Sequence, residues 1–492
     1  MTEKRALFII FGGSGDLAQR KLYPALYGLY YQGRLAKHFA VIGTARRPWT
    51  DDHYHDIIKQ SLVGAPGSAH QKTEFAEHFY YQSHDVTDAA HYVTLRDLAE
   101  KLDKQYALDG NRVFYMAMAP RFFATIAEHV KSEQLLSAKG FNRLIVEKPF
   151  GRDFATAKQL NDDISQAFSE EQIYRIDHYL GKEMVQDIMP LRFANPLLGH
   201  AWSKDFIDNI QITLAEDIGV EERAGYYETA GALRDMVQNH IFQIIAMLTM
   251  EKPARYDAAS IHAAKRAVLS AIKPYTPTQV HDKFVRGQYL GGDDIGLSYR
   301  EEDNIASDST VETYVAGRVD IDNDRWRGVP IYIRTGKRLK AKQSRIDIVF
   351  KPTSDNILPT VNDTHVAPNV LTLIIEPETG MHLTLNGKEI GTSDAVSPFT
   401  LDHALDQDEL AKAPEAYQRL MLNILDGNKL TFTHWAELAA SWHFIDAIRT
   451  VWDNDKADGL AFYNSGTMGP QQADDLLARD HRQWIWQGDT TK

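Results

Sequence analysis

Residues 6–17 have the sequence ALFIIFGGSGDL, in which a continuous apolar run leads directly into a glycine-rich turn. An apolar run of this kind is typical of a strand buried on both faces of a parallel sheet. The glycines predict a tight turn into a helix, which we expect over Leu17–Tyr31. Pro24 is expected to kink or divide this helix, because proline removes a backbone donor.

The alternation of strand and helix continues through the first third of the chain. Strands are expected at Phe39–Thr44, Arg112–Ala117 and Asn142–Glu147, with a helix at Ala89–Gln105. This βαβ rhythm predicts a doubly wound, Rossmann-like parallel sheet of the α/β class. We assign residues 1–177 to this dinucleotide-binding domain.

Beyond residue 178 the expected strands are no longer separated one by one by helices. The predicted fold of residues 178–492 is therefore an α+β domain with a mainly antiparallel sheet covered by helices. Its expected strands are Asn209–Leu214, Val311–Val319, Ile331–Thr335, Arg345–Phe350, Val370–Glu376 and His382–Asn386.

Composition narrows the functional class. The chain has 492 residues and a formal net charge of −13, which argues against non-specific binding to nucleic acid or anionic membranes. It has no cysteine, so disulfides and thiolate metal sites are excluded. No run of histidines and carboxylates has metal-ligand spacing, and no apolar run is long enough to span a membrane. We expect a cytoplasmic protein without a resident metal.

The glycine-rich turn predicts a nucleotide site. It stands between a buried strand and a helix, where backbone N–H groups meet a pyrophosphate, and Gly13, Gly15 and Ala18 approach the dinucleotide-binding spacing. The second strand is followed by Arg46 and Arg47, where folds specific for NAD usually have an acidic residue. Two guanidiniums suit a ribose 2′-phosphate and favour NADP, although arginine also stacks on adenine, so NAD remains open.

The segment Arg175–Lys182 (RIDHYLGK) concentrates polar groups at the expected domain boundary. It contains a carboxylate, an imidazole, a phenol and an ammonium directly after a predicted strand. His178 and Lys182 are four residues apart and would share one face of a helix. Such a cluster suits an anionic group such as a phosphate, although an ordinary surface pair is an equally good interpretation of the spacing alone.

Six segments together resemble the glucose-6-phosphate dehydrogenase family. They occur in that family's order, from near the N-terminus into the C-terminal domain, and the length and lack of cysteine resemble its lactic-acid-bacterial members. The segments are GGSGDLAQRKLYPAL (from Gly12), IVEKPFG (Ile145–Gly151), RIDHYLGKEMVQ (Arg175–Gln186), LRFAN (Leu191–Asn195), GALRDMVQNH (Gly231–His240) and YIRTGK (Tyr332–Lys337).

The resemblance implies oxidation of glucose 6-phosphate at C1 with hydride transfer to NADP+ or NAD+, by a homodimer. It implies that His240 is the general base and that Asp177 orients it. The implied substrate-binding residues are Lys148, His178, Tyr179, Lys182, Glu216, Asp235, Lys337 and Lys342. The implied cofactor-binding residues are Gly12, Gly13, Ser14, Gly15, Asp16, Leu17, Lys21, Arg46, Arg47, Asp85, Val86, Tyr115 and Lys148.

Some positions depart from the family pattern, and two other interpretations stay open. Gly13 and Ser14 stand where the family commonly has a loop of the GASGDL or GATGDL type, and Ser14 keeps a hydroxyl. The stretch Glu221–Tyr227 replaces a glycine-rich run, and Ala232-Leu233 stands where two Ile or similar residues are common. A different sugar oxidoreductase of the Glu-Lys-Pro type would explain Glu147–Pro149 but not the cations around His178. A nucleotide-sensing module without turnover would not need both Asp177 and His240.

Overall fold

A computed structural model describes residues 3–35, 37–292, 296–353, 356–360, 366–391, 394–406 and 413–489. The chain forms two compact units. The first comprises Met1–Gly181 with two later segments, Asp257–His262 and Ala411–Ala439; the second comprises the remainder, from Lys182 to the C-terminus. The later segments of the first unit have no counterpart in the two contiguous domains assigned from the sequence.

The described residues form sixteen strands, which we number in chain order. They are β1 (Ala6–Phe11), β2 (Phe39–Ala45), β3 (Phe79–Ser83), β4 (Arg112–Met116), β5 (Asn142–Val146), β6 (Ile173–Ile176), β7 (Ile207–Ala215), β8 (Phe284–Leu290), β9 (Tyr314–Val319), β10 (Ile331–Gly336), β11 (Gln343–Phe350), β12 (Val370–Glu376), β13 (Gly380–Lys388), β14 (Val396–Ala404), β15 (Phe432–Thr433) and β16 (Leu460–Asn464).

The first unit contains a seven-stranded sheet in the order β15-β6-β5-β4-β1-β2-β3. Its strands pair in parallel except β15, which is antiparallel to β6. The chain builds outward from β1 in one direction and then returns to its other side with β4. Such a reversal marks the crevice in which doubly wound sheets bind ligands, at the carboxyl ends of the strands. The predicted Rossmann-like fold is confirmed.

The first unit has helices on its sheet and a core that includes residues from a distant segment. Its helices are Ala18–Leu22 (π), Tyr23–Tyr31, Asp51–Ser61, Ala69–Ala76, Ala89–Tyr106, Pro120–Phe122 (3₁₀), Phe123–Ser132, Phe154–Ser165, Glu170–Gln172 (3₁₀), His178–Gly181 (3₁₀) and Ala416–Asp426. Leu420, Ile424 and Phe432 are fully buried in the same core as Phe8 of β1. Each such side chain contributes roughly 1.5–3 kcal/mol of hydrophobic stabilisation, which explains why this late segment belongs to the first unit.

The helix expected over Leu17–Tyr31 forms in two parts of different type. Its first turns form the π-helix Ala18–Leu22, and an α-helix follows over Tyr23–Tyr31. Pro24 lies in the first turn of that α-helix, where its missing N–H breaks no intrahelical hydrogen bond. The junction residues Leu22 and Tyr23 keep right-handed helical backbone angles, so the helix changes from π to α type here without a break.

The second unit contains a nine-stranded sheet in the order β14-β13-β12-β11-β7-β10-β9-β8-β16. Its pairings are antiparallel except for β7 with β10 and β8 with β16, so the predicted mainly antiparallel sheet is confirmed. Its helices are Glu183–Phe193, Pro196–Ala201, Glu221–Arg223 (3₁₀), Ala224–Ala232, Leu233–Ile241 (π), Phe242–Thr249, Pro277–Lys283, Tyr299–Glu301 (3₁₀) and Gln471–Ala478. The division between the units falls within the helices Ala258–Ser270 and Trp435–Asp455. Among the described residues no helix is both long and apolar enough to cross a membrane.

His84, which follows β3, is a buried histidine of the first unit. Its backbone N–H donates to the carbonyl of Ala45 at 2.8 Å, and its ring lies 4.6 Å from that of Tyr92 and 5.9 Å from that of Phe11. Burial, with a smaller contribution from the neighbouring His91, lowers the pKa of His84 to about 4. The folded protein therefore holds this imidazole neutral at pH values where an unfolded chain would protonate it.

We expect His84→Gln to reduce the acid sensitivity of folding. Because the folded pKa is depressed, His84 destabilises the protein progressively as pH falls below its unfolded pKa, down to its folded pKa of about 4. Between pH 7 and pH 5 this loss is about 2 kcal/mol of unfolding free energy, and the glutamine variant should lack it. Urea unfolding at both pH values measures the difference. His70→Gln, at an exposed histidine, is the control and should behave as the wild type; a His84→Gln variant with wild-type pH dependence would contradict the interpretation.

Candidate active site

The glycine-rich turn lies at the carboxyl end of β1, beside the end of β2. Gly12 has a φ of 100°, and a Cβ there would overlap the carbonyl oxygen of Ala117. A Cβ on Gly13 would lie 2.8 Å from the Cα of Gly43 in β2. The N–H groups of Gly12 and Gly13 both donate to the carbonyl of Thr44, at 2.9 and 3.0 Å. Only glycine fits this close approach of backbones, and the turn thus has the form that admits a pyrophosphate against the chain.

The residues after the turn form the start of a helix. Gly15 N–H donates to the carbonyl of Gly12 at 2.9 Å, and the side chain of Gln19 donates to the carbonyl of Ser14 at 3.1 Å. Asp16 is exposed and pairs with Arg20 at 3.4 Å. Of the other predicted cofactor residues here, Leu17 is half-buried and Lys21 is exposed.

Arg46 and Arg47 extend from the end of β2 with exposed side chains. Their backbone is held in place by neighbouring residues, since the hydroxyl of Tyr81 donates to the carbonyl of Arg47 at 2.7 Å. The guanidinium of Arg47 lies 5.5 Å from the ring of Trp49. Two cations at this position suit an anionic group on a ribose.

Asp85 and Val86 follow β3 on the same edge of the sheet. Hydrogen bonds from the backbone N–H and the hydroxyl of Thr87, at 3.0 and 2.8 Å, lower the pKa of Asp85, with a smaller effect from the charge of Arg46. Asp85 is therefore an ionised acceptor at neutral pH. Val86 is buried.

The Glu147-Lys148-Pro149 sequence follows β5, and the carboxylate of Glu147 is held by two tyrosine hydroxyls. Glu147 accepts hydrogen bonds from the hydroxyls of Tyr115 and Tyr417. Burial raises the pKa of Glu147 despite these bonds, because the carboxylate loses contact with water. Tyr115 was predicted as a cofactor residue; its side chain is buried, and its hydroxyl is directed to Glu147. Lys148 follows at the strand's carboxyl end and precedes a cis peptide bond.

The segment Arg175–Lys182 begins at the end of β6. Arg175 is buried and forms a bidentate pair with Glu170 at 2.7 and 2.9 Å. Asp177 is 2% exposed, and one of its carboxylate oxygens accepts from the backbone N–H of Tyr179 at 3.0 Å. The chain thereby turns into the short helix His178–Gly181, in which the rings of His178 and Tyr179 lie 4.9 Å apart.

Lys182 is the first residue of the second unit and pairs with the carboxylate of Glu376 at the end of β12. Ser344 donates to the same carboxylate at 3.1 Å, and Lys342 acts on it through its charge. Burial opposes ionisation of Glu376, but these partners outweigh it, so its pKa is lowered. The structure therefore brings Lys182 and Lys342 to one acidic residue that the sequence analysis did not identify. The sequence offered one signal for Glu376, its position before a proline at the end of a predicted strand.

Glu216 and Lys337 meet because the strands that precede them are parallel neighbours. In the register of β7 with β10, Ala215 lies opposite Gly336, so the next residue of each strand leaves the sheet at the same edge. The ammonium of Lys337 lies 2.5 Å from the carboxylate of Glu216, with the lysine side chain only 4% exposed. Two predicted substrate residues are therefore brought together as an ion pair between a buried lysine and a partly exposed glutamate.

Asp235 and His240 lie on the π-helix Leu233–Ile241 of the second unit, and both are buried. Asp235 accepts from the hydroxyl of Tyr226 at 3.2 Å and pairs with Arg223 at 3.5 Å. The sequence analysis did not assign a role to Tyr226 or Arg223, which lie in the stretch that departs from the family pattern. Asp177 belongs to the first unit and His240 to the second, so the pairing of these two residues stays a prediction.

The comparisons with known proteins cover both units. The family model described as the NAD binding domain of glucose-6-phosphate dehydrogenase matches residues 9–187, and its C-terminal domain model matches residues 189–485. A nicotinamide dinucleotide is therefore the cofactor class of this chain. At Gly12 and Gly13 the backbone lies too close to neighbouring backbone atoms to admit a Cβ, which agrees with a dinucleotide-binding turn.

Named relatives are similar over nearly the full chain. Glucose-6-phosphate 1-dehydrogenase of Streptococcus pneumoniae serotype 4 is 48% identical over 99% of this chain and 98% of its own. The Leuconostoc mesenteroides enzyme of the same name is 45% identical over 99% of this chain and 100% of its own. A solved structure of glucose-6-phosphate dehydrogenase in complex with glucose 6-phosphate has a TM-score of 0.90 at 32% identity, covering 99% of this chain and 100% of that one. By its sequence over both units and by its fold, this chain belongs to the glucose-6-phosphate dehydrogenase family.

Proposed function

We propose that the protein oxidises D-glucose 6-phosphate at C1 to 6-phospho-D-glucono-1,5-lactone with NADP+, the first oxidative step of the pentose phosphate pathway. The observation that carries this proposal is the match of both family domains over residues 9–187 and 189–485. A different sugar oxidoreductase of the Glu-Lys-Pro type would not explain the match of the C-terminal domain. NAD+ is the alternative cofactor.

The first unit supplies the cofactor site in this proposal. The bound dinucleotide provides the nicotinamide carbon that receives the hydride. The predicted residues around the glycine turn hold its phosphates against the backbone, and Arg46 and Arg47 bind its 2′-phosphate. Asp85, ionised at neutral pH, offers an acceptor near Arg46. Glu147, supported by two tyrosines, fixes the backbone from which Lys148 reaches the substrate.

The second unit supplies most of the sugar site. Lys182 binds the phosphate, together with His178 and Tyr179 from the end of the first unit, and Lys342 adds a further positive charge. The Glu216–Lys337 pair and Asp235 accept and donate hydrogen bonds at the sugar hydroxyls. Their fixed positions serve the reaction, since interactions that hold a substrate in a reactive geometry lower the barrier by reducing the entropy lost in the transition state.

His240 removes the proton of the C1 hydroxyl in this mechanism. As the O–H bond breaks, the C1 oxygen forms its double bond to carbon, and the hydrogen on C1 leaves with both electrons as hydride. Asp177 accepts from the other ring nitrogen of His240, which fixes the tautomer and stabilises the imidazolium. The proton later passes from His240 to solvent.

A second copy of the chain completes the proposed assembly. Strands β13 and β14 form an exposed part of the nine-stranded sheet, and Phe399 and Leu401 on β14 are 45% and 53% exposed. An apolar edge of this kind favours association through the sheet. A homodimer through β13 and β14 would cover these side chains.

We expect the protein to reduce NADP+ with glucose 6-phosphate and to show negligible activity with unphosphorylated glucose. The reason is that the cations of the proposed site bind the phosphate, and unphosphorylated glucose offers them no anionic group. Absorbance of the reduced nicotinamide measures the rate, with NAD+ tested in parallel. Absence of activity with glucose 6-phosphate would defeat the proposed function.

The double variant Arg46→Ala/Arg47→Ala tests whether these arginines bind the 2′-phosphate of NADP+. Loss of both guanidiniums should raise KM for NADP+ by roughly tenfold or more and leave KM for NAD+ nearly unchanged. Equal effects on both cofactors would mean that the arginines do not bind the 2′-phosphate.

We expect His240→Asn to lower kcat by roughly a thousandfold or more while KM for glucose 6-phosphate changes little. Asparagine cannot accept the proton, but it leaves the binding residues in place. Steady-state kinetics with both substrates measure the effect, and His200→Asn, at an exposed histidine, should be unaffected. A proportionate rise in KM would show that His240 binds the sugar rather than removing its proton.

We expect light scattering to give a mass close to two chains for the wild type and close to one chain for Leu401→Asp. A carboxylate in the middle of an apolar interface must be desolvated without a partner. Leu197→Asp, at a leucine that is 81% exposed outside the sheet, is the matched control and should remain dimeric. A wild-type monomer, or a Leu401→Asp dimer, would contradict this interface.

A further inference from the structure

The π-helix that carries Asp235 and His240 begins immediately after an unusual backbone turn. Gly231 has φ of 64° and ψ of 173°, a conformation that an L side chain rarely adopts. A Cβ on Gly231 would overlap the carboxylate of Glu312. π-helices often occur at functional sites, because the irregular turn must be held by its surroundings. The carboxylate of Glu312, which lies against this turn, is therefore a candidate for holding the helix in place.

Glu312 holds the start of that helix through both its backbone and its side chain. Its carbonyl accepts from the N–H of Ala232 at 2.9 Å, and one carboxylate oxygen accepts from the N–H of Leu233 at 3.2 Å. These are N–H groups at a helix start, which need an acceptor from outside the helix. A negative charge there also interacts favourably with the helix dipole.

The carboxylate of Glu312 is fully buried and is paired with a buried cation. Arg449 donates to its second oxygen at 2.9 Å, and Arg449 also binds Asp453 at 2.7 Å. Burial opposes the charge of Arg449, but Glu312 and Asp453 outweigh this effect and raise its pKa. A buried ion pair contributes little net stability compared with apolar residues of the same size. The pair instead fixes the position of the Glu312 carboxylate between Leu233 and Arg449.

The next residue along the chain connects the same loop to the sugar site. Thr313 accepts at its carbonyl from the N–H of Lys337, at 3.0 Å. Two consecutive residues thus hold two segments: Glu312 holds the helix that carries Asp235, and Thr313 holds the end of β10 that carries Lys337. Both segments supply groups that the proposed function assigns to the sugar hydroxyls.

We infer that Glu312, fixed by Arg449, is a positioning residue that sets the distance between Asp235 and Lys337 and thereby the selectivity among sugar phosphates. This inference rests on the proposed function and assigns it a further determinant. Glu312 itself contacts backbone groups and Arg449. Its effect on substrate is exerted through the helix start that it holds, relative to the end of β10 that the adjacent Thr313 holds.

The test compares Glu312→Gln with Glu312→Ala. Glutamine keeps an acceptor for Leu233 but removes the charge that fixes Arg449, whereas alanine removes both. We expect kcat/KM for glucose 6-phosphate to fall by roughly tenfold in Glu312→Gln and by more in Glu312→Ala, mainly through KM. The preference for glucose 6-phosphate over galactose 6-phosphate should fall as well, while KM for NADP+ stays unchanged.

The control is Asp453→Asn, which removes the more exposed partner of Arg449 and should leave both KM values and the preference unchanged. A purely structural role would lower the melting temperature without changing KM or the preference between the two sugars. That result in Glu312→Gln would overturn the inference, and this variant decides alone if Glu312→Ala does not fold.

The two proposals fail in distinguishable ways. Binding of glucose 6-phosphate, measured by calorimetry without turnover, should weaken in Glu312→Gln by the same factor as KM rises. If the wild type is active and Glu312→Gln has the same KM and the same sugar preference, only the positioning role is overturned. A wild type that neither binds nor oxidises glucose 6-phosphate overturns both.

Discussion

Parallel pairing of strands brings the carboxyl ends of neighbouring strands to one edge of a sheet. The positions of the polar side chains that follow those strands depend on that constraint. In the first unit, the glycine turn, Arg46 and Glu147 each follow the carboxyl end of a parallel strand. The second sheet is mainly antiparallel, yet its pair β7 and β10 is parallel. The ion pair of Glu216 and Lys337 is formed at the end of that pair. An antiparallel arrangement would have sent the two residues to opposite edges.

Groups held this firmly lose contact with water, so each needs a partner of suitable charge. The protein uses two solutions. Glu147 receives neutral tyrosine hydroxyls, which satisfy its oxygens without neutralising its charge, and burial raises its pKa despite them. Glu312 and Glu216 instead receive buried cations. Removing one member of such a pair leaves an uncompensated buried charge, so these positions are sensitive to substitution even where the pair adds little to stability.

The sequence predicted the features that depend on local pattern. The buried run Ala6–Phe11 and the glycine turn both follow from neighbouring residues, and the structure places them as expected. The Rossmann-like sheet could be predicted because each βαβ unit is nearly complete within a short stretch of chain. The resemblance to one family then supplied the site residues that no local pattern could connect.

Features that depend on long-range contacts were missed for a physical reason. The segment Ala416–Asp426 belongs to the first unit because Leu420 and Ile424 complete its core, and an amphipathic helix does not specify which core it will join. Glu312 and Glu376 were missed because a carboxylate is an ordinary surface residue until its partners are known. Their importance arises from Arg449 and Lys182, which are distant in sequence, and hydrophobic periodicity carries no information about such pairs.

The dense polarity of Arg175–Lys182 can now be understood as two structural tasks within one short segment. Arg175 pairs with Glu170 and fixes the end of β6, and Asp177 then uses one carboxylate oxygen to hold the following turn. That turn restricts the orientation of the carboxylate, because a side chain bonded to the backbone N–H of Tyr179 has few rotamers left. Lys182, at the other end, already begins the second unit and is held by Glu376. The ion pair restricts the Lys182 side chain, so a ligand that contacted it would cost less side-chain entropy than one bound by a mobile surface lysine.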